Sequence, residues 1–157
     1  MIFMGPAGVG KTMIAKNLVF QAVMKGHTGL CVDASKMLTD LGDQETSRAL
    51  ERRLTKYLRP TVLLIDELGY LSHTNRAADL MFQVVSRRYE RAATIITTNS
   101  PFKDWGKLFP SAGCVSVMID RLTHRAEILV IEGESYRMKE SAERNARRTK
   151  SKTKKET

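Results

Sequence analysis

The fold is decided at MIFMGPAGVGKT, residues 1–12. Its first four residues are an apolar run with strand character that leads straight into glycines. Gly5, Pro6, Ala7, Gly8, Val9, Gly10, Lys11 and Thr12 match G-x-x-x-x-G-K-[S/T] at every specified position. Glycines let the backbone curl so that its N–H groups converge on phosphate oxygens. A helix opening behind such a loop adds the partial positive charge of its N-terminus. In that arrangement the Lys11 ammonium reaches the β- and γ-phosphates of a nucleotide, and the Thr12 hydroxyl binds Mg2+. The required context is present: a strand before the loop, and after it a helix over 11–25 with Ile14, Leu18 and Ala22 spaced four apart on one face.

Outward from the loop, short apolar runs alternate with longer amphipathic ones. TGLCVDA (28–34) reads as a second buried strand, and SKMLTDL (35–41) as a helix. ETSRALERRLTKYLRP (45–60) reads as another helix, with Leu50, Leu54 and Leu58 on one face and Pro60 as its stop. TVLLID (61–66) is a continuous apolar run, as a strand covered on both faces should be. Residues 76–91 stack Ala78, Met81, Phe82, Val85 and Tyr89 at helical spacing, and ATIITTN (93–99) is a further buried strand. Short helices follow Pro101, including 115–124, and EILVIE (127–132) forms the last strand. This alternation predicts an α/β fold of the P-loop type, a three-layer α/β/α sandwich around about five parallel strands. Ligands of such sheets sit at the carboxyl ends of the strands.

The chemistry beyond the loop is carried by a few side chains. VLLIDEL puts Asp66 and Glu67 at the end of a buried strand. Asp66 suits a Mg2+ contact through water, and Glu67 suits a group that orients a water for in-line attack on the γ-phosphate. Asn99, ending the next strand, can sense the γ-phosphate beside Glu67. Arg121 and Arg137 have the planar cation that oxyanion recognition favours, although from chemistry alone each reads equally well as a surface residue. A small-molecule kinase would bring an arginine-rich lid and would not need the Asp-Glu pair. The chain between residues 28 and 60 offers no such lid, so hydrolysis is the better reading.

The chain has 157 residues and a net charge of +9, and residues 137–157 hold nine Lys/Arg against three Glu. A basic tail on a mildly basic body points to a polyanionic partner. Arg52, Arg53, Lys56, Arg87, Arg88 and the tail are candidate contacts to the backbone of double-stranded DNA, sequence-independent and steeply salt-dependent. Trp105 and Tyr136 read as core or partner-packing residues rather than base-stacking ones. No apolar stretch is long enough to span a membrane and no secretion signal is visible, so the expected location is cytoplasmic. Cys31 and Cys114, far apart and without metal-ligand spacing, read as reduced core residues.

LERRLTKYLRP, IDELGYL, AADLMFQVVSRRYER, ITTNSPFKDWGKLF and DRLTHRAEILVIEGESYRMKE, in this order, resemble the IstB-like ATP-binding proteins, the AAA+ helpers of insertion-sequence transposases. The resemblance runs from Gly5 to about Lys139; DnaC-type helicase loaders share the plan and resemble these blocks less closely. Residues 140–157, basic and low in apolar residues, read as a disordered tail, while the resemblance implies an AAA+ core over residues 1–139. It further implies ATP and Mg2+ as cofactors, ATP hydrolysis, ATP-dependent self-association on double-stranded DNA, and a transposase as partner. By matching position, Lys11 and Thr12 fall in Walker A and Asp66 and Glu67 in Walker B. Asn99 matches sensor 1, Arg121 the arginine finger that completes a neighbour's site, and Arg137 sensor 2. Family members usually carry a helical N-terminal segment ahead of Walker A, which the resemblance implies is missing here, with the first strand clipped. A helicase loader in DNA replication and an inactive, truncated nucleotide-binding remnant are the competing readings.

Overall fold

Five parallel strands form one sheet in the order β2-β3-β4-β1-β5 in the computed structural model, which describes residues 1–69, 75–109, 113–142 and 144. The strands are β1 (Ile2–Met4), β2 (Gly29–Asp33), β3 (Val62–Leu68), β4 (Ala93–Thr98) and β5 (Ile128–Val130). The helices are α1 (Lys11–Met24), α2 (Ala34–Gly42), α3 (Ser47–Leu58), α4 (Asn75–Arg88), α5 (Trp105–Leu108) and α6 (Val115–Thr123), with a 3-10 turn over Phe102–Asp104. Every strand read from the sequence is present, and the parallel α/β architecture is the expected one.

Alternation along the strands builds two cores. Leu63 and Ile65 of β3 face one way with Ile2 and Ile96, under Met37, Leu41, Leu54, Met81 and Val84 from α2, α3 and α4. Val62 and Leu64 face the other way with Phe3 and Ile95, under Ala15 and Val19 of α1. Local signals set the helix starts: the Asp33 carboxylate accepts from the Lys36 N–H (3.0 Å), and the Thr46 hydroxyl accepts from the Ala49 N–H (3.2 Å).

Several expectations are corrected here. The buried face of α1 is Ala15 and Val19, with Ala22 partly buried, while Ile14 and Leu18 are more than a third exposed. α1 carries apolar residues all round, so spacing alone could not choose a face. Contact selects the small ones, because a Cβ at Gly29 would lie 2.6 Å from Val19 Cγ1 and the helix sits close on the sheet. β2 is an edge strand whose Cys31 is exposed, and Cys114 only packs against the rim of the core; both thiols are free. β5, at the other edge, is exposed at all three residues. Trp105 is fully buried and donates its indole N–H to Ser100 O (3.1 Å), whereas Tyr136 lies on the surface.

Arg88 is a core residue, 2% exposed, rather than a DNA contact. Its guanidinium donates to the carbonyls of Tyr57, Leu58 and Pro60 at 3.0, 3.2 and 2.9 Å, to Ala93 O at 2.6 Å and to the Thr94 hydroxyl at 3.1 Å. Three of those carbonyls lie at the end of α3, where the chain leaves the helix without internal partners. Arg53 and Lys56 share Asp40 and Arg87 pairs with Glu51, so two carboxylates offset part of the positive charge named on this surface. Residues 136–142 are helical, and residues 143 and 145–157 of the expected tail lie outside the described residues.

Candidate phosphate-binding and hydrolytic site

The sheet order places β4 between β1 and β3, so the end of β4 separates the glycine loop from the acidic pair. The loop takes the backbone that glycine permits: Gly8 has φ +87° and Gly10, the N-cap of α1, has φ +94°. Lys11 Nζ donates to Gly5 O (2.7 Å) and Pro6 O (2.6 Å), so its ammonium lies across the mouth of the loop. Thr12 Oγ1 donates to Asp66 Oδ1 at 2.9 Å, linking residues 54 positions apart.

Charge converges on the same point. Burial pulls the Lys11 ammonium below its ordinary pKa, and the nearby Arg137 guanidinium pulls it further, while Asp66 and Glu67 oppose the shift. Arg137 comes within range because the start of the 136–142 helix docks on the loop. Tyr136 N donates to Gly8 O (3.1 Å), and a Cβ at Gly8 would lie 2.1 Å from Ser135 Oγ. Ala7, Lys11, Glu67, Thr97, Thr98 and Asn99 line one small cleft of about 30 Å³. Asn99 is held close to the chain after β3, since a Cβ at Gly69 would lie 2.2 Å from its Oδ1.

The structure thus brings together Lys11, Thr12, Asp66, Glu67, Asn99 and Arg137. It does not bring in Arg121, which lies over the Phe82 ring (5.1 Å) and lines a cavity of about 470 Å³ with Met1, Arg88 and Ala93. That cavity, though the larger, lies at the amino ends of β1, β3 and β4, opposite the phosphate loop, and has neither glycine cradle nor paired carboxylates.

The donor set suits Mg2+. Asp66 is a nearly buried carboxylate beside a threonine hydroxyl, and all the donors are hard oxygens. Among the described residues no cluster of three or more His, Cys, Asp or Glu could hold a metal unaided. Sequence reading missed Thr97 and Gly69. The signal for Thr97 was two adjacent threonines in the otherwise aliphatic strand of ATIITTN, because buried hydroxyls need partners.

A family model described as IstB-like ATP binding protein matches residues 1–144. The chain belongs to the IstB-like ATP-binding protein family. It is 40% identical over 139 residues to the insertion sequence IS21 ATP-binding protein of Pseudomonas aeruginosa, covering 88% of this chain and 52% of that protein. Its identity is 37% to the IS5376 counterpart of Geobacillus stearothermophilus, again over 88% of this chain and 55% of the relative. The chain therefore spans about half the length of these IstB-like relatives. Among solved structures, a DnaC helicase loader aligns with TM-score 0.68 and 25% identity, over 84% of this chain and 77% of that one. AMPPCP-bound DnaA from Aquifex aeolicus aligns at the same TM-score with 18% identity, over 85% of this chain and 40% of the other, a likeness of fold. No helix among the described residues of this IstB-like chain is long and apolar enough to cross a membrane.

Proposed function

We propose that this chain is an ATPase of the AAA+ type that assists a transposase on double-stranded DNA. The observation that carries the reading is the 2.9 Å hydrogen bond from Thr12 to Asp66, which joins the glycine loop to the acidic strand end. Lys11 and the loop N–H groups hold the triphosphate, and Arg137 adds a cation on the same side. Thr12 and Asp66 would hold Mg2+, which would supply positive charge to offset the charge that develops on the phosphate. Glu67 orients the attacking water, and Asn99, across the cleft, fixes the position of that water and of the terminal phosphate.

Arg121 lies at the far end of its own sheet, which supports a role at a neighbouring subunit's site in a homo-oligomer. The insertion-sequence relatives support transposition as the process and a transposase as the client.

Nucleotide binding and phosphate release test the reading together. Lys11→Ala should lose ATP binding, and Glu67→Gln should bind ATP and hold it unhydrolysed. A Glu67→Gln variant that releases phosphate at the parental rate would remove Glu67 from the mechanism. A second reading, a replicative helicase loader, draws on the alignment with 77% of the DnaC loader. It predicts co-purification with a replicative helicase, where the first predicts a transposase.

A further inference from the structure

We infer that Thr97 is a positioning residue that sets the backbone of Glu67 and the carboxylate of Asp66 from the neighbouring strand; the inference rests on the ATPase reading. Three observations meet at this residue. Glu67 has φ +60°, in the left-handed region that residues other than glycine seldom occupy. The pairing of β3 with β4 slips at the same place, from Ile65 opposite Ile96 to Leu68 opposite Thr98, so β3 holds one residue more than its partner. Thr97, 1% exposed, stands opposite that bulge.

A bulge removes a backbone N–H from the strand ladder, and the part-buried N–H of Glu67 takes another acceptor. The Thr97 hydroxyl is that acceptor, at 2.9 Å from Glu67 N. Its single proton goes to Asp66 Oδ1, the oxygen that also accepts from Thr12. One hydroxyl therefore grips two consecutive residues, one through its backbone and the other through its side chain.

The consequence concerns aim. In a regular strand, neighbouring side chains point to opposite faces. Bulges re-aim side chains, and here Glu67 faces the cleft shared with Lys11 and Asn99 while Asp66 stays buried beside Thr12. Valine fills the space of threonine without donating or accepting, whereas serine keeps the hydroxyl and drops a methyl.

The test compares Thr97→Val with Thr97→Ser for ATP affinity, steady-state turnover and structure. Thr97→Val should keep ATP affinity within a few-fold while kcat falls on the order of 100-fold, the signature of lost positioning rather than lost binding. Thr97→Ser should recover most of kcat. A Thr97→Val enzyme with parental kcat, or a Thr97→Ser enzyme as slow as Thr97→Val, overturns the inference. Should Thr97→Val not fold, Thr97→Ala removes the same hydroxyl with less bulk. A crystal structure of the hydroxyl-less variant decides the matter independently of turnover: Glu67 should leave the left-handed region, and a retained φ near +60° overturns the inference. Parental protein that releases no phosphate would instead count against the ATPase reading itself.

Discussion

Arg88→Met separates a structural role from a DNA-binding one. The methionine keeps much of the buried aliphatic volume and removes five hydrogen bonds, four of them to backbone carbonyls. Hydrogen bonds to a charged donor contribute about 1.5–3 kcal/mol each before the cost of burying the charge. That cost is considerable here, since burial pushes the Arg88 guanidinium down to about 10. The two contributions partly cancel while the network is intact. Removing the arginine leaves the buried Tyr57 carbonyl short of a partner, and an unsatisfied buried acceptor costs about 1–3 kcal/mol. Allowing water to reach the part-buried Leu58, Pro60 and Ala93 carbonyls, the expected net loss is about 2–4 kcal/mol. For a domain of this size that lowers Tm by roughly 5–15 °C. Urea and thermal denaturation of the two proteins in the same buffer measure it. A variant of parental stability that binds DNA more weakly would refute the reasoning and return Arg88 to the surface role its sequence suggested.

Gly69→Ala should push the Asn99 amide out of the cleft, keeping ATP affinity while lowering kcat by about 10–100-fold; single-turnover phosphate release would expose an unchanged rate. Arg121→Ala should bind ATP normally and lose assembly-stimulated turnover by on the order of 10³-fold; full activity at high protein concentration would exclude it as a finger. The Asp40 carboxyl is held down at about 2, first by Arg53, then by the Tyr57 hydroxyl and Lys56. A depressed folded-state pKa adds stability that is complete above about pH 4 and disappears as pH falls toward 2. Asp40→Asn should therefore cost about 1–2 kcal/mol at pH 7, allowing for solvent screening, and almost nothing near pH 2; a pH-independent difference in urea midpoints would contradict this.

Much of the site was legible because its chemistry is tied to spacing. Gly5 to Thr12 is contiguous, Asp66-Glu67 ends a strand with five successive buried residues, and Asn99 follows directly after β4. Their convergence then follows from strand direction, since all three segments leave the same edge of a parallel sheet. What stayed hidden depends on which elements become neighbours. Arg88 looked like half of a surface Arg-Arg pair, and only the meeting of α4 with the end of α3 makes it a carbonyl cap. In α1 the apolar residues allow several faces, and the choice of Ala15 and Val19 depends on how closely the helix lies on Gly29. Thr97 was hidden for a different reason. Its importance comes from a one-residue slip between strands that no periodicity records.

The strand order also bears on how the molecule is made. Among the described strands β1 pairs with β4 and β5, which both follow β2 and β3 in the sequence. During translation β2 and β3 can pair, and α2 and α3 can pack, while the first strand and its loop wait for residues 93–130 to emerge. Closing so distant a contact is slow, and the waiting segment is exposed to misassociation meanwhile. The first strand of this sheet is thus among the last to find its partners, and a ligand gripped by that loop would stabilise the finished state without hastening the early steps of folding.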